Sequence, residues 1–363
     1  MKYIIEKNSK KPAYLQLYTQ LRSDIVKGVY PPGSRLPSKR TVSEETGIST
    51  VTAEHAFALL CDEGYAEARQ RSGYFVIFNR NDGFSEPPAS VFGVISRPHR
   101  QISQETSFPF SVLARTMRSV ISAYGESMLE RTPGKGTVEL REAVRQYLAR
   151  SRGITADTGQ IIIGAGSEYI YRLITALLGR DKVYAIETPS YQKIEQIYSL
   201  EGVVTEKLPL GPDGIESTAL RNSRADVLHI SPYRSFPSGI TASASKKHEY
   251  VRWALEGGRI IIEDDFESEF TILKKSEETL FSLSPQNVIY INTFSKTVSP
   301  ALRTAYAVLP KELAAEFDKK LGFYSCTVSA YIQYVLAELI NSGDFERHIN
   351  RVRRKKRKES GQD

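Results

Sequence analysis

Three side chains close to the ends of apolar segments could together hold an aromatic aldehyde that carries a phosphate. Lys296 follows the apolar run at 288–292, and its amine could bond covalently to the aldehyde. Asp264 ends the apolar run at 259–264, and its carboxylate could keep a ring nitrogen protonated. Arg303, seven residues after Lys296, could reach the phosphate. A lysine, an acid and phosphate donors are the three requirements for binding pyridoxal phosphate.

A glycine-rich turn, GAGSE at 164–168, offers a second contact to the phosphate. The turn joins an apolar run at 161–164 to a helical stretch, and backbone N–H groups at a helix N-terminus attract anions. Tyr191, in the string TPSYQ, could stack on the cofactor ring. The full set of predicted cofactor contacts is Gly166, Ser167, Glu168, Tyr191, Asp264, Ser295, Lys296 and Arg303.

Each of these signals has an ordinary structural explanation when it is taken alone. A lysine after a strand is more often a solvated surface residue, and the acidic run at 263–265 could form a solvated turn. A lone aromatic residue such as Tyr191 is as commonly part of a core as part of a binding site. The residues by themselves therefore leave the cofactor site open.

The segments that must position these residues alternate between apolar runs and helical stretches from about Phe108 onward. This alternation predicts an α/β domain with a mainly parallel sheet that is covered on both faces. Open sheets of this kind bind ligands at the carboxyl ends of their strands. The predicted strands are IIIG (161–164), VYAIE (183–187), VLHIS (227–231), RIIIED (259–264), VIYIN (288–292) and AYAVLP (305–310).

The first 78 residues predict a separate unit with three helices and a hairpin. Apolar residues at helical spacing over 14–25 predict the first helix, and Ser38 and Gly47 could bound a second. A third helix is expected over about 50–63, before two short strands around Gly73. This arrangement is typical of a winged helix-turn-helix, in which the second helix of the motif enters the major groove of DNA.

Side chains around the third helix and the hairpin could contact DNA. Those at the N-terminus of the third helix would meet base edges, whereas the neighbouring cations would hold phosphates. Small helical domains with surface arginines are common, so the spacing alone leaves DNA binding undecided. The predicted DNA contacts are Arg35, Ser38, Lys39, Arg40, Ser49, Thr50, Thr52, Arg71 and Gly73.

Composition and charge limit the classes of protein. With 363 residues the chain is long enough for two domains, and we expect a head over 1–78, a linker over 79–105 and a cofactor-binding domain over 106–363. The net charge of +7 is weak support for DNA binding, because RVRRKKRK at 351–358 carries seven cations and the rest of the chain is balanced. The sequence lacks an apolar run near the ~20 residues of a membrane span, and its two cysteines are isolated, which predicts a cytoplasmic protein.

Particular strings resemble a known family of regulators. PGSRLPSKRTVSEETGIS, ALLCDEGY and RSGYFV resemble the winged helix of the GntR family, and SKTVSPALR and EDDFESEF resemble motifs of fold-type I aminotransferases. In this order they resemble the MocR subfamily of GntR regulators over nearly the whole chain. The resemblance implies pyridoxal phosphate as cofactor, with Lys296 as the Schiff-base lysine and Asp264 at the pyridine nitrogen. It also implies double-stranded DNA as a partner, a homodimer, and an effector that is an amine, an amino acid or pyridoxal phosphate itself.

Four features depart from the family pattern. Phe266 replaces a tyrosine that donates to the phenolic oxygen of the cofactor, and Phe236 precedes Pro237 where related aminotransferases have asparagine. Thr50 and Val51 occupy positions that often hold arginine and asparagine, so base readout is expected to be sparser or differently aimed. Family members continue beyond residue 363, so we expect a C-terminal truncation, an incomplete small C-terminal subdomain and no inherited arginine for an effector carboxylate.

The residues and the resemblance together favour a transcription regulator in which cofactor binding at Lys296 changes the geometry of paired DNA-binding heads. One alternative is an active aminotransferase with an attached head, for which Lys296 and Asp264 supply the minimum chemistry. The other alternative is a DNA-binding protein whose cofactor domain is degenerate.

Overall fold

The computed structural model separates into two compact units, Met1–His99 and Arg100–Asp363. Nearly all of the predicted linker lies outside the described residues, as does Arg71. The structure describes residues 3–6, 9, 11–70, 72–79, 108–266, 268–271 and 278–359.

The first unit is the winged helix-turn-helix that the sequence predicts. Its helices are α1 (Ala13–Val26), α2 (Lys39–Thr46) and α3 (Thr50–Asp62), followed by the antiparallel strands β1 (Ala66–Arg69) and β2 (Gly73–Val76). The Ser38 side chain accepts a hydrogen bond from the Thr41 amide and so begins α2. Gly47 ends α2 in the left-handed conformation, with a φ of 72°, which favours glycine.

A compact apolar core holds the helices of the head together. Leu17 and Leu21 of α1 are fully buried against Phe57 and Leu60 of α3. These residues recur at helical spacing, so each helix turns one apolar face inward and leaves its other face to solvent. The first turn of α3, which would carry base contacts, is therefore left exposed at Thr50.

The second unit is an eight-stranded sheet with helices packed against it. Its strands are β3 (Ile161–Gly164), β4 (Val183–Thr188), β5 (Val204–Gly211), β6 (Gly214–Ile215), β7 (Val227–Ile230), β8 (Ile260–Asp264), β9 (Val288–Thr293) and β10 (Ala305–Val308). Its helices are α4 (Phe110–Tyr124), α5 (Val138–Arg152), α6 (Ser167–Leu178), α7 (Gln192–Leu200), α8 (Ser217–Asn222), α9 (Ala244–Gly257), α10 (Leu280–Leu283), α11 (Phe294–Thr297), α12 (Lys311–Leu321), α13 (Ala330–Asn341) and α14 (Asp344–Glu359).

The strand order is β3-β10-β9-β8-β7-β4-β5-β6, and most neighbouring strands are parallel. β10 is antiparallel to both of its neighbours, β3 and β9, and β6 is antiparallel to β5. The mainly parallel α/β fold is thus confirmed. β5 and β6 were not predicted from the sequence, because β5 lies near the edge of the sheet and most of its side chains are exposed or half-buried.

Both faces of the sheet are buried, which explains the continuous apolar runs of the central strands. In β3, Ile161 and Ile163 face one core while Ile162 faces the other. In β9, Tyr290 faces the same core as Ile161, and Ile291 faces the same core as Ile162.

The basic run near the end of the chain forms the last two turns of α14. Val352 is buried, and Arg353 Nε donates a hydrogen bond to the Glu269 carbonyl oxygen at 2.6 Å. The run is therefore part of a packed helix rather than an extended arm. Within the part of the chain that the structure describes, helices long and apolar enough to cross a membrane are absent.

Candidate cofactor site and nucleic-acid interface

The predicted cofactor residues of the second unit meet at one edge of its sheet. β3, β9 and β8 run in the same direction, so the segments that follow them share an edge. β10 runs the opposite way, so the residues before it lie at that same edge. The strand order therefore brings together Gly166, Asp264, Lys296 and Arg303, although the sequence separates the first from the last by more than a hundred positions.

Asp264 is buried at the end of β8 within a chain of hydrogen-bonding groups. The Tyr171 hydroxyl donates to Asp264 Oδ2, and His229 Nε2 lies 3.6 Å from the same oxygen. The other ring nitrogen of His229 lies 2.6 Å from the Tyr198 hydroxyl. Burial raises the pKa of both Tyr171 and Tyr198, so both stay protonated at neutral pH. These side chains hold the Asp264 carboxylate in one orientation.

The neighbouring acids are also buried, which rules out a solvated acidic turn. Glu263 accepts hydrogen bonds from the Tyr233 hydroxyl at 2.7 Å and from the amides of Leu280 and Phe281 at 2.9 Å. Asp265 turns to the opposite side, where it pairs with Arg152. Successive acids alternate between the two faces of the strand, so Asp264 lies on the opposite face from Glu263 and Asp265.

Asp265 and Arg152 form a buried ion pair with an N–O distance of 2.5 Å. The Tyr290 hydroxyl donates to the same Asp265 oxygen at 2.7 Å. Burial lowers the pKa of Arg152, but the Asp265 carboxylate together with Tyr290 and Glu269 more than offsets that effect, so the pKa lies well above its ordinary value. Because Arg152 ends α5, the pair ties this helix to the end of β8, close to Asp264.

Lys296 lies on α11, immediately after β9, as the sequence analysis expected. Its Nζ is 4.4 Å from the centre of the Phe266 ring, the geometry of a cation–π contact. The neighbouring Ser295 lies in the first turn of α11, and its amide donates to the Thr293 side chain, which caps the helix, at 3.1 Å. The lysine amine thus sits over the aromatic ring that replaces the family's tyrosine.

Arg303 lies against the glycine-rich turn at the start of α6. A Cβ at Gly166 would come 2.7 Å from Arg303 Nη2, so a larger residue there would displace the guanidinium. Gly166 also has a φ of +89°, and Ser167 begins the helix. Arg303 Nη2 bonds Glu168 Oε2 at 2.6 Å. The Arg303 guanidinium therefore lies beside the N-terminal turn of α6, and both the guanidinium and the N–H groups of that turn favour a phosphate.

Tyr191 and Phe236 border the same edge after β4 and β7. Their ring centres are 6.1 Å apart at an interplanar angle of 75°. Tyr191 is 38% exposed, so the alternative that it belongs to the core is wrong. An exposed aromatic ring at this edge is available for stacking.

Three polar residues of the site were not predicted from the sequence: Tyr171, His229 and Glu187. Glu187 lies in β4 and is buried, and the Ser235 hydroxyl donates to it. Burial raises the pKa of Glu187 to about 7, against the effect of the hydrogen bonds from Ser235 and Ser231. His229 and Glu187 both interrupt apolar strand runs, and this interruption was the signal that could have identified them.

The side chains at this edge fit pyridoxal phosphate. Lys296 supplies an amine, Asp264 supplies a carboxylate held by Tyr171, and Arg303 with the first turn of α6 supplies donors for an anion. The Arg303 guanidinium packed against Gly166, where a Cβ would displace it, is the feature that best matches a phosphate site.

In the head, several predicted DNA contacts also stabilise the fold. Ser49 caps α3 by accepting from the Thr52 amide at 3.1 Å, and Ser38 caps α2 in the same way. Thr50 is exposed in the first turn of α3, and Val51 beside it is 75% exposed. The polar and apolar groups of this turn are thus presented together on the surface.

The cations of the head are partly neutralised by neighbouring acids. Lys39 Nζ bonds Glu54 of α3 at 2.5 Å, and Arg40 bonds Glu44 at 2.9 Å within α2. Arg35 lies against Gly73 of the hairpin, where an added Cβ would come 3.2 Å from Arg35 Nε. Gly73 has a φ of +105°, a backbone conformation that favours glycine.

Comparison with known families matches both units. Residues 13–76 match the bacterial regulatory proteins of the gntR family, and residues 104–360 match aminotransferase class I and II. The second match covers well over half of the chain.

Curated relatives combine the same two parts over nearly the whole chain. The uncharacterized HTH-type transcriptional regulator YdeL of Bacillus subtilis is 29% identical over 363 residues, with 96% of this chain and 77% of that protein covered. The HTH-type pyridoxine biosynthesis transcriptional regulator PdxR of Corynebacterium glutamicum is 26% identical, with 93% of this chain and 75% of that protein covered. The probable rhizopine catabolism regulatory protein MocR of Rhizobium meliloti is 25% identical, with 97% and 76% covered.

Solved structures similar to the second unit are aminotransferases. LysN, an alpha-aminoadipate aminotransferase from Thermus thermophilus, matches with a TM-score of 0.61 and 27% identity over 68% of this chain and 64% of that chain. A kynurenine aminotransferase from Pyrococcus horikoshii matches with a TM-score of 0.61 and 23% identity over the same shares, which shows the fold alone. This chain therefore spans just under two thirds of the length of these enzymes.

Proposed function

The chain belongs to the aminotransferase class I and II family over residues 104–360 and carries a gntR-type helix-turn-helix domain over residues 13–76, and from this premise we propose a cytoplasmic transcription regulator that binds double-stranded DNA and responds to pyridoxal phosphate. Its effector is an amino compound or pyridoxal phosphate itself. The observation that carries the proposal is the meeting of Lys296, Asp264 and the Arg303–Gly166 contact at one edge of the sheet, in a chain that also has a DNA-reading head.

Each residue has a separate role in holding the cofactor. Lys296 would supply the amine that attaches to the aldehyde, and Asp264 would hold a proton at the ring nitrogen. Tyr171 supports this role because its hydroxyl donates to Asp264 and fixes the carboxylate. Tyr191 would stack on the ring. When bound, pyridoxal phosphate supplies an aldehyde that bonds reversibly to amines, which is the chemistry needed to detect amino compounds.

In the head, α3 would enter the major groove. Thr50 and Thr52 would approach base edges, and the exposed methyl groups of Val51 suit contact with thymine methyl groups. Arg35 and Arg40 would hold phosphates on either side. Arg71 keeps its proposed role from the sequence alone.

We also propose that the protein is a homodimer. Phe110 and Ile121 lie on the same side of α4, since eleven residues make about three helical turns, and both are exposed. Leu129, which follows this helix, is 86% exposed. Exposed apolar side chains on consecutive segments support burial against a second copy. Sedimentation equilibrium is expected to give twice the mass of the chain, and a monomer at all concentrations would contradict the dimer.

The cofactor part of the proposal is tested by visible absorbance on adding pyridoxal phosphate, followed by borohydride reduction and peptide mapping. We expect a coloured species whose reduced label maps to Lys296, and we expect K296A to lose both. K311A, which removes an exposed lysine elsewhere, is expected to keep both. A colourless wild-type protein would favour the degenerate-domain alternative.

The DNA part is tested by selecting binding sites from random-sequence duplexes, with and without pyridoxal phosphate. We expect the wild type and K296A to select the same sequence, and we expect only the affinity of the wild type to change with the cofactor. Failure to select any sequence would contradict a regulator. Transamination of amino acids at ordinary enzyme rates would favour the aminotransferase alternative.

A further inference from the structure

Glu168 joins two cations at the start of α6. Its Oε2 bonds Arg303 Nη2 at 2.6 Å, and its Oε1 bonds Lys193 Nζ at 2.9 Å. The hydrogen bond from Lys193 and the charge of Arg303 lower the pKa of Glu168 below its ordinary value, so it is a carboxylate at neutral pH. An anion from the chain itself therefore pairs with both cations.

Arg303 is held in this position by the backbone on each side. Its guanidinium lies over Gly166, where a Cβ would meet Nη2 at 2.7 Å. Residue 303 has a φ of +44°, a left-handed conformation that is uncommon for residues other than glycine. The guanidinium is thus directed across the first turn of α6, whose N–H groups attract anions.

Glu168 has two opposite effects on a phosphate at this turn. Its backbone N–H belongs to the first turn and favours an anion, whereas its carboxylate repels one. The side chains of Glu168, Arg303 and Lys193 sum to one positive charge, while a phosphate ester carries nearly two negative charges at neutral pH. A bound phosphate must therefore compete with the carboxylate for Arg303.

We propose that the Glu168 carboxylate is an internal competitor for the phosphate of the cofactor and sets the affinity of this chain for phosphorylated over unphosphorylated pyridoxal. This inference rests on the proposed function, because it assumes that the edge of the sheet binds pyridoxal phosphate. A carboxylate that holds Arg303 weakens the phosphate contact and leaves the contacts to Lys296 and Asp264 unchanged. The cofactor then dissociates more readily, as a sensor of its concentration requires.

An ion pair that only joins α6 to α7 would use the same contacts. The side chains of Arg303, Glu168 and Lys193 are each between one third and about one half exposed, and exposed ion pairs add little to stability. E168Q is therefore expected to fold, and its amide would keep hydrogen-bonding capacity without the charge.

The test compares the dissociation constants of pyridoxal and pyridoxal phosphate for the full chain, measured by absorbance titration. The dissociation constant of pyridoxal divided by that of pyridoxal phosphate is the ratio that isolates the contribution of the phosphate. We expect E168Q to increase this ratio at least tenfold by tightening pyridoxal phosphate and leaving pyridoxal unchanged. E316Q, which removes a carboxylate from the exposed Glu316–Lys320 pair on α12, is expected to keep the wild-type ratio.

Three other outcomes would overturn the inference in distinguishable ways. If the wild type and E168Q have the same ratio of dissociation constants, Glu168 only forms surface ion pairs and the proposed function still stands. If neither protein binds either compound, both the inference and the cofactor part of the proposed function are wrong. An equal increase in E316Q would show a general charge effect and would also overturn the role of Glu168.

Discussion

The amine of Lys296 lies 4.4 Å from the centre of the Phe266 ring, so the residue that replaces the family's tyrosine directly contacts the proposed cofactor lysine. A phenylalanine can hold the cation against its π-face, but it cannot donate a hydrogen bond to the cofactor. The contact therefore keeps the lysine in place while removing one polar contact from the site.

F266Y is expected to tighten pyridoxal phosphate binding about tenfold or more. The added hydroxyl could donate to a charged oxygen, and such hydrogen bonds contribute about 1.5–3 kcal/mol. Absorbance titration would measure the dissociation constant. F323Y adds the same hydroxyl to a phenylalanine that is exposed on the surface, and it should leave binding unchanged. Equal binding by F266Y and the wild type would show that position 266 does not reach the cofactor oxygen.

R152M is expected to destabilise the second unit by about 3–5 kcal/mol, because it leaves the Asp265 carboxylate buried without its cation. Urea unfolding of the full chain would measure the loss. R172M breaks the pair with Glu201, in which the arginine is exposed, and should cost about 1 kcal/mol or less. The double variant R152M/D265N should recover part of the lost unfolding free energy. If R152M and R172M lose similarly little unfolding free energy, the buried pair does not stabilise the fold as expected.

Glu187 is expected to make stability depend on pH between about 5 and 8. Burial raises its pKa from 4.5 to about 7, so the folded protein binds a proton in this range that the unfolded chain releases. Its contribution to stability is therefore full below the unfolded pKa and is lost as pH rises through the folded pKa. Relative to the wild type, E187Q should gain about 1–3 kcal/mol of unfolding free energy between pH 5 and pH 8.

The comparison of E187Q with the wild type isolates this group, because other buried titrating residues are common to both proteins. E316Q changes an exposed acid and should follow the wild-type pH profile. Parallel profiles for E187Q and the wild type would mean that Glu187 ionises as readily in the fold as in the unfolded chain.

E54Q is expected to strengthen binding to any duplex DNA. Lys39 bonds Glu54 at 2.5 Å, and removing that carboxylate would release Lys39 to hold a phosphate. One more phosphate contact should steepen the slope of log affinity against log salt by about 0.9. Fluorescence anisotropy at several salt concentrations would measure it. D62N removes one negative charge from the other end of α3 and should leave the slope at its wild-type value. If E54Q and D62N have the same slope, Lys39 does not bind a phosphate.

The sequence by itself was enough to predict the class of each unit. Apolar runs bounded by turns, the caps at Ser38 and Gly47, and a lysine and an acid directly after strands are local signals that depend on neighbouring residues only. For the same reason the sequence predicted that Lys296 follows a strand and that Asp264 ends one, and the fold-level expectation of a winged helix before a mainly parallel sheet was confirmed.

Only the tertiary structure decided which residues touch. Glu168 and Arg303 are 135 positions apart, and Arg152 and Asp265 are 113 positions apart, so no local pattern links them. Their contacts depend on strand order, and in particular on β10 running opposite to β3 and β9. The order of strands is set by how the whole chain buries its two apolar cores, which is a collective property of the fold. A residue's chemistry can therefore be predicted from its type, whereas the partner that tunes that chemistry is fixed only when distant segments pack together.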